Sequence, residues 1–188
     1  MTVRTIFNRK IVVEHCDKNY VPQSMVNQML EWIKDERIVR IPQHINDSFA
    51  PSTCDVPDLY VTNLTDSNNL LNWIISKVIE NSKEFINGDL KKASIGRNWF
   101  NVMFKDSQGV IHNHNCETYP GTSVVAIFYV QVPKDSANLY FTDGTTIITQ
   151  EAVEGNLIIH DAEIDHGVSI HNSTIPRICI VMDLILET

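Results

Sequence analysis

The second half of the chain is a succession of β-rich runs: NWFNVMF, SVVAIFYVQV, NLYF, TTIIT, GNLIIH and RICIVMDLIL, beginning at Asn98 and separated by turn residues. Short runs rich in β-branched and aromatic residues, punctuated in this way, read as strands. Several are apolar at consecutive positions, so both faces of their sheet must be covered. The first half carries material for that cover. Residues 22–37 place Met25, Val26, Met29, Leu30 and Ile33 on one helical stripe, and Pro22 suits a first turn. Residues 66–87 repeat the pattern with Leu70, Leu71, Ile74, Ile75, Val78 and Ile79; Thr65 or Asp66 can cap its start, and Gly88 follows its end. Residues 38–64, which include PDLYVTNL, read as loop and short strand. The expectation is a mainly β (α+β) single domain over 1–188. A jelly-roll-like double sheet occupies 98–188, and 1–97 supplies helical support and peripheral strands.

A chain of 188 residues is long enough to bury a core without metal or disulfide staples. A formal net charge of −8 argues against a nucleic-acid backbone as partner. No run has the length of a membrane span, and the N-terminal MTVRTIFNRK lacks a secretory apolar stretch. Cys16, Cys54, Cys116 and Cys179 form no CxxC pair and read as free thiols of a reducing compartment. A cytoplasmic protein with no membrane partner is expected.

The chemistry-bearing residues gather in the β-rich half. His112 and His114, in GVIHNHNCE, share one face if the strand is regular, and His166 follows in DHGVSIHN. Two ligands from one strand closed by a distant third make a common metal site, and imidazole suits iron, copper, nickel and zinc alike. A polar turn rich in Asn and His has the same appearance. In RICIVMDLIL, Arg177, Cys179, Val181, Asp183 and Ile185 share one face. An arginine aimed into an apolar interior needs an anion. Asp183 lies about 20 Å along the strand, too far to serve. A ligand carboxylate would satisfy the guanidinium, as would plain exposure at the strand's start. Tyr129 is a phenol within an apolar strand, where either a ligand or a structural partner can take its hydroxyl. His160 reads as a strand-end histidine near the site, and Asp161, Glu163 and Asp165 either as a solvated acidic loop before His166 or as carboxylates that orient its free ring nitrogen. His15, His44 and His171 carry no assigned role.

Taken in order, NWFN (98–101), HNH (112–114), TSVVAIFYV (122–130), EGNLIIH (154–160), DHGV (165–168) and RIC (177–179) resemble the Fe(II)- and 2-oxoglutarate-dependent oxygenases. The similarity is to small prolyl-4-hydroxylase-like members with a His-x-His motif, found in bacteria and phages, and it covers roughly residues 98–186. It implies a double-stranded β-helix, with Fe(II), 2-oxoglutarate and O₂ as cofactor and co-substrates. His112, His114 and His166 would be the metal ligands, and Arg177, Tyr129 and Asn101 would bind the co-substrate. It also implies hydroxylation of an unknown substrate, for which the family name suggests peptidyl proline, and for a phage-encoded enzyme residence in the host cytoplasm. Two departures stand out. His114 takes the place of the usual aspartate, for which Glu117 or Asp165 is a substitute carboxylate, and Cys179 takes the place of a common serine. The alternatives are a cupin-like three-histidine enzyme that uses no 2-oxoglutarate and a non-catalytic jelly-roll binding or virion-associated module.

Overall fold

The computed structural model describes residues 1–16, 20–42, 49–114 and 121–188; Cys116, Glu117 and His44 lie outside them. The first strands, β1 (Thr2–Ile6) and β2 (Arg9–His15), form a hairpin, followed by α1 (Gln23–Trp32), β3 (Val39–Pro42), β4 (Phe49–Ser52) and α2 (Asn68–Glu80). The second half supplies β5 (Lys92–Met103), β6 (Gly109–His112), β7 (Val124–Gln131), β8 (Leu139–Thr142) and β9 (Ile147–Gln150). It ends with β10 (Asn156–Asp161), β11 (His166–Val168) and β12 (Arg177–Glu187). They make an eight-stranded sheet in the order β1-β2-β10-β7-β12-β5-β4-β3 and a four-stranded sheet in the order β6-β11-β8-β9. All the pairings are antiparallel.

Strand alternation divides the interior into two cores. Val124, Ala126 and Phe128 of β7, with Ile178, Ile180, Met182 and Leu184 of β12, pack against Met25, Met29, Leu70, Ile74 and Val78 of the helices. Val125, Ile127 and Tyr129, with Cys179 and Val181, turn the other way and meet Leu139 and Phe141 of the small sheet. The large sheet is thus covered by helices on one face and by a second sheet on the other, which is why β7 and β12 read as continuous apolar runs. The mainly β jelly-roll expectation holds.

The helices are shorter than the periodicity implies. α1 stops at Trp32, and the polar residues after it turn back, with Arg37 bonded to both Asp35 and Asp58. α2 starts after Ser67, which makes no side-chain capping bond, while Asp66 sits at φ 65°. It ends where the Asn81 side chain donates to the Lys77 carbonyl (2.8 Å), satisfying one of the terminal acceptors. The β1–β2 hairpin was not anticipated. Its turn uses Phe7 and Asn8, both at positive φ (46° and 61°), without the glycine that usually marks such a turn.

His171 is fully buried. Its Nδ1 accepts the Ala137 N–H (3.3 Å), and its Nε2–H donates to the Ile175 carbonyl (2.9 Å). The neutral ring is therefore used in full, and burial holds its pKa below the ordinary 6.5. The unfolded chain takes up this proton before the fold does. The associated stability is thus complete above about pH 6.5 and is lost as the pH falls toward the folded value. His171→Leu is expected to cost about 1–3 kcal/mol at pH 8, because two backbone groups lose their partner. It is also expected to flatten the loss of stability below pH 6.5, by up to about 1.4 kcal/mol per pH unit. Urea unfolding across a pH series measures both effects.

Candidate metal centre

β6 and β11 are neighbours in the small sheet, and their register sets His112 directly opposite His166. The ladder shifts between His166 and Val168, and glycine at 109 accommodates the shift: a Cβ there would lie 3.0 Å from the Val168 Cβ and 3.2 Å from its backbone nitrogen. β6 ends at His112, yet His114 still reaches the same place, because its N–H is anchored on the Ala162 carbonyl (2.9 Å). The result is a group of three imidazoles, from His112, His114 and His166, whose ligand nitrogens lie within 4.8 Å of one another. No carboxylate belongs to that group among the described residues. Asp165 instead accepts a hydrogen bond from Asn113 (2.8 Å), and Glu117 is outside the described residues.

Each ring has one nitrogen committed to an acceptor. His112 Nδ1–H donates to the Val110 carbonyl (2.9 Å), His166 Nδ1–H to the Ile164 carbonyl (3.0 Å) and His114 Nδ1–H to Asp183 Oδ1 (2.5 Å). An acceptor on Nδ1 fixes the tautomer, so all three rings offer an Nε2 lone pair. Burial, followed by the neighbouring rings, holds the His166 pKa well below the usual histidine value, so this ring is neutral and ready to ligate at pH 7.

Behind His114 stands a second group. Asp183 is 1% exposed and takes two hydrogen bonds on Oδ2, from Arg97 Nε (3.0 Å) and Nη2 (2.8 Å), which leaves Oδ1 for His114. Trp99 contacts both groups: the Arg97 guanidinium carbon is 5.0 Å from the indole, which stacks on His114 at 5.6 Å and 18°. Sequence reasoning did not single out Arg97 and weighed Asp183 only as a partner for Arg177. The available signal was a carboxylate on the inward face of an otherwise apolar strand.

The histidines open into a cavity of about 460 Å³, whose walls include Trp99, Asn101, Met103, Leu139, Arg177 and Val181. Arg177 is 1% exposed and makes no ion pair among the described residues. Its Nη1 contacts the sulfurs of Met103 (3.3 Å) and Cys179 (3.6 Å), and its guanidinium lies 4.8 Å from the centre of the Tyr129 ring. Arg177 Nε, the Tyr129 hydroxyl and Asn101 Oδ1 are all buried without a hydrogen-bond partner among the described residues. Burial pushes the Tyr129 phenol up to about 12 against the pull of Arg177, so it stays protonated and can donate. Tyr129 lies beneath the guanidinium and is not one of the cavity-wall residues.

His160 is closer to the centre than a strand-end position implies. It is fully buried, 4.7 Å from the His166 ring, with Nδ1–H on the Asp161 carbonyl (2.9 Å) and Nε2 unpartnered. Burial drives its pKa down to about 3, so the ring is neutral. The acidic loop behaves as a solvated one: Asp161 and Glu163 pair with Arg9, and a backbone carbonyl, not a carboxylate, orients His166.

No protein-family model matches the sequence, and no curated protein matches it. Solved structures do. The epimerase SnoN in complex with Fe3+, alpha ketoglutarate and nogalamycin RO superimposes at a TM-score of 0.70 and 12% identity, over 93% of this chain and 78% of that one. A Pseudomonas putida prolyl-4-hydroxylase gives 0.60 and 12%, over 95% and 93% of the two chains. An oxidoreductase of the 2OG-Fe(II) oxygenase family from Burkholderia pseudomallei gives 0.60 and 14%, over 93% and 84%. The chain has the fold of the 2OG-Fe(II) oxygenases. At these identities the likeness is one of architecture, and the site must be argued from its own residues.

A buried cation that contacts sulfur atoms and a ring face, and has no ion pair among the described residues, is a standing cost to the fold. Arg177→Met, of similar length and uncharged, is expected to raise the stability of the metal-free protein by roughly 1–3 kcal/mol. Thermal and urea unfolding of both proteins test this, and an unchanged or lower stability would mean that the charge is already compensated.

Proposed function

We propose that the chain is an Fe(II)- and 2-oxoglutarate-dependent dioxygenase that couples decarboxylation of 2-oxoglutarate to succinate with hydroxylation of a second substrate. The observation that carries this reading is a buried arginine with no ion pair among the described residues, in the same cavity as three imidazoles whose Nε2 atoms face one another. The residues fit the groups. Three neutral nitrogens suit a divalent transition ion while leaving coordination positions open. The orphaned donor on Arg177 suits the distal carboxylate of a 2-oxo acid, and Tyr129, which lies against the guanidinium, would act beside it. Asn101, whose Oδ1 is an acceptor, would assist through its amide group. When bound, the metal and 2-oxoglutarate supply the oxidising chemistry, and the chain's part is to bind, orient and exclude water.

Arg177 gives the reading its direction. A three-histidine enzyme that used no 2-oxo acid would leave that guanidinium buried with no purpose. The apolar walls keep its electrostatic pull on a carboxylate strong. For the second substrate, the shared fold with a prolyl-4-hydroxylase makes a peptidyl proline one candidate, and the SnoN likeness keeps a small molecule as another. The free thiols Cys16, Cys54 and Cys179 fit a reducing, cytoplasmic location. Among the described residues no helix is long and apolar enough to cross a membrane.

Purified protein supplied with Fe(II), 2-oxoglutarate and O₂ should form succinate, and His166→Ala should abolish it. Arg177→Leu should weaken 2-oxoglutarate binding by about 30–100-fold, the loss expected for charge-assisted hydrogen bonds. Turnover retained in His166→Ala, or 2-oxoglutarate affinity indifferent to Arg177, would overturn the assignment.

A further inference from the structure

We propose that Asp183 is a positioning residue of the metal centre, acting through His114, with Arg97 holding it in place. The proposal rests on the metal-dependent reading above and concerns how this chain manages with a histidine at 114.

A ligating imidazole needs two things fixed: which nitrogen faces the ion, and the plane of the ring. At His114 different neighbours meet the two needs. Trp99 stacks at 18° and sets the plane, while Asp183 accepts from Nδ1 at 2.5 Å and turns Nε2 inward. His112 and His166 are oriented by backbone carbonyls, so His114 alone of the three is backed by a carboxylate. A carboxylate on the far nitrogen makes the ring a stronger donor and confines its orientation.

Arg97 places two hydrogen bonds on Oδ2, so the carboxylate can rotate away from His114 only by breaking them. The backbone is shaped for this contact. The β5–β12 register shifts between Met182 and Leu184, which sets the single residue Asp183 opposite the pair Gly96 and Arg97. A Cβ at Gly96 would sit 3.3 Å from the Asp183 carbonyl oxygen, so glycine is what lets the strands close up there. Arg97 also balances the carboxylate's charge. The device therefore orients and polarises His114 and does not cancel the charge of the ion.

The test is Co(II) titration of the full chain, followed by calorimetry and by the visible d–d spectrum, in a cycle of wild type, Asp183→Asn, His114→Ala and the double variant. Asp183→Asn keeps the size of the side chain and removes its charge. The expected result is about 10–100-fold weaker Co(II) binding with an altered spectrum in the His114 background. In the His114→Ala background, Asp183→Asn should have no further effect. Unchanged affinity and spectrum in Asp183→Asn would overturn the proposal, as would an equal loss in both backgrounds, since either means that Asp183 does not act through His114. A wild-type chain that takes up no Co(II) would overturn the metal reading itself, and this inference with it. If Asp183→Asn does not fold, Arg97→Met provides the second arm: it should weaken Co(II) binding in the same sense by a smaller factor, and unchanged binding would count against the proposal.

Discussion

Two opposite charges share the inner face of one strand and cannot meet. Arg177 and Asp183 both point from β12 into the space between the sheets, each 1% exposed, with Cys179 and Val181 between them. Each must find its counter-charge elsewhere, since an unpaired buried ion is among the costliest features a fold can carry. Asp183 finds its partners within the chain, in Arg97 and His114. Arg177 has no ion pair among the described residues and contacts sulfur atoms and the face of a ring. The asymmetry divides the site between an end whose charge is paired within the chain and an end whose charge is not, and the proposed reading gives the second end to an anionic ligand.

Such a division requires a strand that cannot shift. β12 pairs with β5 on one side and β7 on the other, and its outward residues are locked into the helical layer through Ile178, Ile180 and Met182. A slip of one residue would exchange the charged and apolar faces, which fixes the register strongly. The supporting helices thus hold the central strand in place, and precision in the site follows from the core on the opposite face of the sheet.

The strands of the second half were legible because both faces of the large sheet are covered and their apolar runs are unbroken. The three histidines, Arg177, Tyr129 and Asn101 were legible as residue types at suggestive positions, and the structure gathers them around one cavity, with Tyr129 beneath it. The supports were harder to see. Arg97 is an ordinary charge beside a glycine until the bulge sets it against Asp183, and a bulge leaves no periodic signal. The β1–β2 hairpin was missed because Phe7 and Asn8 take the positive-φ positions without a glycine. Helix lengths were overestimated because α1 gives way to a reversal where Arg37 pairs with both Asp35 and the distant Asp58, and α2 ends at a local side-chain bond from Asn81. The first of these depends on a partner distant in sequence.

One further consequence belongs to the small sheet. Among the described residues β6 is its outermost strand, only four residues long and bonded to β11 alone. Short edge strands fray readily because half of their backbone groups have no partner in the sheet. An ion shared by His112 of β6 and His166 of β11 would act as a rivet across that edge. The same ligation that prepares the centre for chemistry would give this edge strand a second point of attachment.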